Sequence, residues 1–336
     1  MMLRLSMIVF AVFLTAMPFA HAGDDKEDTS NPAPVAIPPG AWHGKRAMED
    51  IAHQLSFGSR ALDTPGHELA VRFIQKELQK AKAAVVKGQQ WMENGTRGGG
   101  TILGWMRREP PGKPHAMVNI VGRYYPDNPR RIIVGTHYDS IIRAYRDKDN
   151  PDAVMPGANN SASGVALLLE TARALGRLPL PPVGIDFVFF DGEEGTHAMG
   201  AGDPYWRPLG SPYFAQNLDD FYPDEKPEVA VIFDMVCDRE LDLHPEPNSL
   251  RAASGDVENF WGLGRRHAPQ AFKAQPFPEA INDDHDALIA AGIPSFLVID
   301  FKYEPWFNTT QDTADKCSAA SLEAVGRTLL DYIYSL

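Results

Sequence analysis

Five short apolar runs recur through the middle of the chain and each closes on polar residues: AMVNIVGRYY, RIIVGTHYDS, GIDFVFFDGEE, EVAVIFDMVCD and IPSFLVIDF. Rich in Val, Ile and Phe and showing little alternation, they predict strands buried on both faces, the pattern of a mainly parallel sheet. Helical spacing fills the gaps between them. Residues 163–175 carry Val165, Leu168, Leu169, Ala172 and Leu175 on one face, and the stretch from Ser318 offers Leu322, Val325, Leu329 and Ile333. Residues 64–83 open with Thr64 as a cap, Pro65 at the first position and Glu68 in the first turn. Strands alternating with helices predict an α/β fold, a three-layer α/β/α sandwich around a mixed, mainly parallel central sheet.

The segments ahead of this pattern are of another kind. MMLRLSMIVFAVFLTAMPFAHA has one Arg, an apolar run from Met7 to Phe19 and a small-x-small ending at Ala20, His21 and Ala22. That is the layout of a secretory signal over residues 1–22, and its apolar run is short of the roughly 20 residues that a bilayer span needs. Export to the periplasm or the medium is the expectation. Residues 23–41 are charged, then Pro-rich, and read as a flexible leader. Residues 42–336 are expected to form one α/β domain. A net charge of −12 argues against nucleic acid or an anionic membrane as partner, since both need a basic surface. A peptide or small molecule bound by a monomer is the expectation. Cys237 and Cys317 would meet in an oxidising compartment, but their spacing leaves their pairing open, and neither is given a catalytic role.

In open α/β sheets ligands bind at the carboxyl ends of strands. The polar residues there are His137 and Asp139, then Asp191, Glu193 and Glu194, then Asp234, then Asp300. Zinc takes His nitrogen and carboxylate oxygen, and a metal-bound His gives its other N–H to a carboxylate. His137 with Asp139 suits that pairing. In DGEE, one Glu can face a metal while its neighbour handles protons. Taken singly, each fragment has an ordinary explanation: a solvated Glu pair, or an Asp that caps a helix.

In this order, IIVGTHYDS, PGANNSASGVALLLE, VFFDGEEG, LGSPYF, VIFDMV, INDDHDALIAAGIPSFLVIDF and WFNTTQDTADK resemble the motifs of the zinc aminopeptidase family that includes the animal-type glutaminyl cyclases. The similarity runs from about Phe57 to the C-terminus. DDH at 283–285 followed by AGIP resembles the cyclase branch and its bacterial relatives. The resemblance implies the fold of that zinc exopeptidase and glutaminyl cyclase group. It also implies one metal at His137 and Asp234, a second at Glu194 and position 308, and a bridge at position 160. In the cyclases, positions 160, 194 and 308 hold a single zinc. Glu193 is then the general base or proton carrier, and Asp234 and Asp284 join the catalytic hydrogen-bond network, with Asp139, Asp283 and His285 in support.

Two positions depart from that pattern. Asn160 stands where the family has Asp, and Asn308 where it has His; Phe307 replaces a Trp, with Trp306 one place earlier. A neutral amide oxygen is a poor zinc ligand and cannot balance a second dication. His285 is read as a hydrogen-bonding loop residue, and His197 and His244 as surface or turn residues. Tyr205, Trp206, Trp306 and Phe307 are candidates for a pocket wall, with core packing as the alternative. The resemblance as a whole implies a glutaminyl-peptide cyclotransferase acting on peptide N-termini with one zinc, weakened by Asn160 and Asn308. An aminopeptidase of the same family and a secreted, non-catalytic peptide binder stand as alternatives.

Overall fold

The computed structural model describes residues 37–94, 113–196 and 206–336. The signal, the leader up to residue 36, His197 and Tyr205 lie outside the described residues. Six strands form one sheet: β1 (Val85–Asn94), β2 (Pro114–Tyr124), β3 (Arg131–His137), β4 (Gly184–Phe190), β5 (Val229–Asp234) and β6 (Ser295–Ile299). Their order is β1-β2-β4-β3-β5-β6. β3 pairs in parallel with β4 and β5, and β5 with β6, whereas β1 on β2 and β2 on β4 are antiparallel.

The five apolar runs are five of these strands. β3, β4, β5 and β6 are buried at every residue, as continuous apolar runs require when helices cover both faces. β1 left no such signal, because its sequence VVKGQQWMEN is largely polar and only Gln89 is fully buried.

The described residues form eight helices: α1 (Gly44–Leu55), α2 (Pro65–Lys80), α3 (Ala162–Leu175), α4 (Gly210–Gln216), α5 (Pro247–Ala252), α6 (Ser254–His267), α7 (Asp284–Ala290) and α8 (Ala319–Ile333). Thr64 caps α2, accepting from His67 N at 3.2 Å, and Ser318 caps α8. One core joins Ile132 and Val134 of β3 to Ile51 of α1, Ile74 of α2, Leu168 of α3, Phe260 of α6 and Leu329 of α8. A second, on the opposite face, joins Ile133 of β3 to Phe214 of α4 and Leu288 of α7. Successive residues of one strand thus feed two cores, which makes the three layers. Among the described residues no helix is long and apolar enough to cross a membrane.

Cys237, just beyond β5, and Cys317, just before α8, form a disulfide across 80 residues. In the chain-entropy view, closing a loop of that length is worth about 4.5 kcal/mol. Ser318 N also donates to Cys237 O at 2.7 Å, so the same junction is held by the backbone.

α3 lies against β3 through Gly164, where an added Cβ would come 2.0 Å from Thr136 Oγ1 and 3.1 Å from Phe233 O. Substituting Gly164→Ala therefore pushes the helix off the sheet. The expected cost is about 2 kcal/mol, the range for overpacking a close-packed interface. Urea unfolding measures it, and an unchanged midpoint would refute the close approach.

Candidate active site

His137 and Asp234 are the last residues of β3 and β5, neighbouring parallel strands. From β3 the chain runs through α3 to β4 on one side, and from β5 it runs on to β6 on the other. The crevice between the ends of β3 and β5 is therefore the switch point of the sheet, where α/β proteins place ligands. There His137 Nε2 lies 3.2 Å from Asp234 Oδ1. Its Nδ1 lies 3.4 Å from Asp139 Oδ1 and 3.8 Å from Glu193 Oε2.

β4 ends in the turn Asp191-Gly192-Glu193-Glu194. Gly192 has a φ of 67°, and a Cβ there would run into the Met117 side chain, so the turn requires glycine. The Asp139 carboxylate holds the turn, accepting from Glu193 N and Glu194 N, each at 3.1 Å. Trp206 Nε1 donates to Glu193 O at 2.8 Å. One acid thus orients both His137 and the Glu pair.

The loop that carries Asn160 is fixed from beneath. Buried Arg60 donates to Pro156 O at 2.9 Å and Gly157 O at 2.7 Å. Asp312 accepts from Asn159 N at 2.8 Å, Asn160 N at 3.1 Å and the Tyr303 hydroxyl at 2.8 Å. So held, Asn160 Nδ2 donates to Glu194 Oε1 at 2.7 Å and to Asn308 Oδ1 at 3.3 Å. The opposite amide orientation would set an oxygen against the Glu194 carboxylate. Asn308 has a φ of 54°, a left-handed backbone that Asn tolerates better than most residues.

These side chains open on a cavity of about 530 Å³. Asn160, Glu193, Glu194, Asp234, Asp283 and Asn308 line much of its polar part, together with Glu279 and Asn282, and Trp206, Phe277, Ile281, Ile299, Phe301 and Phe307 much of its apolar part. Among the described residues that line it there is no Lys or Arg.

The expected residues divide into two sets. His137, Asp139, Glu193, Glu194, Asp234, Asp283, Asn160, Asn308, Trp206 and Phe307 come together at the cavity or directly behind it. Trp306 does not reach it: its ring packs against the second core with Lys316 Nζ 4.6 Å away, and only its neighbour Phe307 turns inward. Asp300 accepts from Lys302 N in its own loop and from Asp242 N in the segment after β5, and Asp191 binds His67 and Val118 N. Both are strand-end acids spent on neighbouring backbone or His rather than on the crevice. Asp284 accepts from Ser211 Oγ. His285 is buried with Nε2 3.1 Å from Glu246 Oε2 and touches none of the cavity acids. His244 caps a turn at Gln275 O. Arg60, Asp312, Phe277 and Phe301 were not anticipated. Asp312 sits in the QDTADK stretch, but nothing in its spacing says that it reaches back to residue 160.

Burial sets the electrostatics. It pushes the Glu193 carboxyl well above its ordinary range, against the attraction of His137 and helped by Glu194 and Asp283. Burial raises Glu194 to about 8, partly opposed by His137 and by the Asn160 hydrogen bond, and raises Asp283 to about 7, with Asp234 adding to it. Burial works against a charge on His137, yet the charge of Glu193 and the hydrogen bonds of Asp139 and Asp234 raise it well above the usual imidazole value. The group is short of positive charge, and it holds protons that exposed carboxyls would release.

A dication would supply that charge, so the donors must be tested for it. Position 160 presents an amide N–H₂ to Glu194 where a bridging carboxylate would be needed, and position 308 presents a second neutral amide. Among the described residues no group of three or more His, Cys, Asp or Glu side chains is placed to hold a metal ion. The donor set does not fit the zinc sites that the family resemblance implies.

Comparison with known proteins agrees with the fold. The profile of Peptidase family M28 matches residues 119–333. The bovine (Bos taurus) glutaminyl-peptide cyclotransferase is 24% identical over 247 residues, covering 64% of this chain and 66% of its own length. A Zn-dependent exopeptidase from Parabacteroides distasonis superimposes with a TM-score of 0.78 at 27% identity, over 90% of this chain and 100% of that one. The glutaminyl cyclase of Tannerella forsythia does so with a TM-score of 0.76 at 28% identity, over 88% and 99%.

Glu246 anchors the loop that brings Asp283 to the cavity. Fully buried, it accepts from Asn248 N, Ser249 N, Ser249 Oγ and Ile281 N, and it pairs with His285. Burial opposes its charge, but His285 and the backbone N–H groups lower its pKa from 4.5 to about 2. A depressed carboxyl stabilises the fold above its unfolded value and loses that contribution as pH falls through the folded one. Glu246→Gln should cost about 3 kcal/mol at pH 7 and flatten the acid limb of stability below about pH 4.5. Denaturant titration across pH measures both; an unaltered acid limb would count against the pairing.

Proposed function

The chain belongs to peptidase family M28, and from that premise we propose that it binds the amino-terminal residue of a peptide in the 530 Å³ cavity as a glutaminyl-cyclase-type protein that no longer runs the family's zinc chemistry. The observation that carries this reading is the 2.7 Å hydrogen bond from Asn160 Nδ2 to Glu194 Oε1. Where two carboxylates would repel each other until a metal joined them, an amide and a carboxylate attract and close the gap themselves. The likeness to proteins named glutaminyl cyclase supports a peptide N-terminus as the ligand. Export through residues 1–22 belongs to the same reading, and the secreted chain should begin at Gly23.

A second reading, slow glutaminyl cyclisation, is favoured by one feature. Glu193 is buried 3.8 Å from His137 with its carboxyl pKa raised, suited to holding and passing a proton. Ammonia release from a Gln-initiated peptide distinguishes the two.

The test is the metal content of residues 23–336 after zinc loading and dialysis, beside the double variant Asn160→Asp with Asn308→His. The native chain should retain well under one zinc and release no ammonia. The double variant should gain at least about 100-fold in zinc affinity, since even indirect ligand support is worth about 10 to 100-fold. One tightly held zinc in the native chain, or no gain in the variant, would overturn the reading.

A further inference from the structure

We propose that the outer edge of β1 is a self-association surface, on which a second copy of this chain adds its own β1 antiparallel and makes one continuous sheet across a two-fold axis. A dimer then replaces the monomer expected from the sequence. The two edges of the sheet are finished differently. β6 is met by α5, where Ser249 Oγ accepts from Leu297 N at 2.9 Å. β1 runs over Val85–Asn94 and is paired on one side only, to β2. Among the described residues no strand or side chain takes up its other row of backbone N–H and C=O groups. Such a row on a long strand is a template for another strand.

Proteins usually blunt an edge with a proline, a bulge or an outward lysine. β1 has no proline, and its pairing with β2 runs from Val85 to Asn94 without a bulge. Its one lysine is drawn over the face of the sheet: Lys87 Nζ lies 4.4 Å from the Phe221 ring centroid and donates to Asp220 O at 3.3 Å. The strand also leaves large apolar side chains in water, with Val85 46% and Met92 59% exposed. An uncovered edge that carries apolar surface suits association.

The strand is complementary to its own reverse, which identifies the partner. Aligned antiparallel about Gln90, VVKGQQWMEN sets Lys87 of each copy opposite Glu93 of the other, and Met92 of each opposite Gly88. Lys87 and Glu93 are an even number of residues apart, so they stand on one face of the strand, and residues directly opposite in an antiparallel pair share a face. The alignment therefore makes two cross-strand ion pairs related by the two-fold. Among the described residues no carboxylate pairs with Lys87 and no cation with Glu93, whose Oε2 accepts from Trp91 Nε1 at 3.3 Å. Gly88 has no side chain to obstruct the exposed Met92. Shifting the register by one or two residues removes both ion pairs, so charge selects a single alignment. An isologous contact of this kind closes at two copies, because each copy spends the edge it offers.

Sedimentation equilibrium of residues 23–336 tests this in about 0.15 M salt, where repulsion between two acidic chains is screened beyond about 8 Å. A paired edge with its flanking side chains is a small interface, so a reversible dimer is expected to form between about 1 µM and 1 mM protein. Lys87→Glu and Glu93→Lys should each weaken it at least about tenfold, because each turns both ion pairs into like-charge pairs. Lys87→Glu combined with Glu93→Lys should restore association, since the pairs re-form with exchanged signs. A native chain still monomeric at about 1 mM would overturn the proposal. So would a dimer indifferent to either single change, or a double variant that associates no better than the single ones. Lys87 is exposed and Glu93 half-buried, and circular dichroism checks that each variant folds. Should one fail to fold, hydrogen exchange of the native chain keeps the test. The β1 amides should exchange more slowly at about 1 mM than at about 1 µM protein, and exchange independent of concentration would overturn the proposal.

Discussion

The parallel registry of β3, β4 and β5 is the constraint on which the site depends. It brings His137, the DGEE turn and Asp234 to one edge of the sheet. Because the chain leaves β3 and β5 in opposite directions, no connecting loop fills the crevice between their ends. The cavity exists for that reason. The strands can hold this edge rigidly because both of their faces are packed, with Val134 facing one core and Ile133 the other.

Onto that edge the fold crowds acids that water would have kept apart. Burial answers part of the problem by holding protons on Glu193, Glu194 and Asp283. Hydrogen bonds answer another part, as where Asp139 spends its carboxylate on two backbone N–H groups. At position 160 an amide meets the buried acid Glu194. The amide brings a donor and no negative charge, so the loop from residue 157 closes on Glu194 by a hydrogen bond. Beneath it Arg60 and Asp312 form a second support that does not line the cavity.

Much of this was legible in the sequence, residue by residue. Continuous Val/Ile/Phe runs marked the strands, because strands covered on both faces cannot alternate, and polar residues at their ends marked the rim. β1 was not legible, since an edge strand half in water carries no apolar run. Asp300 and Asp191 matched the strand-end pattern yet serve backbone and His67, because an acid after a strand has nearer donors to satisfy than any ligand. Trp306 and Phe307 are adjacent and aromatic, and which of them faces the cavity depended on the path of one loop. Phe277 and Phe301 come from separate segments and meet only in space.

By itself the sequence determined the layered α/β fold, the family, the set of polar residues at the strand ends, and the two amides at positions 160 and 308. Those are local properties: periodicity, residue type and order along the chain. Only the tertiary structure decided that Asn160 donates to Glu194, that Cys237 and Cys317 pair, that His285 serves Glu246, and that three phenylalanines face an acidic floor. Each of these is a contact between segments far apart in the chain, set by how the layers pack, and no local pattern encodes which distant atom will be within 3 Å.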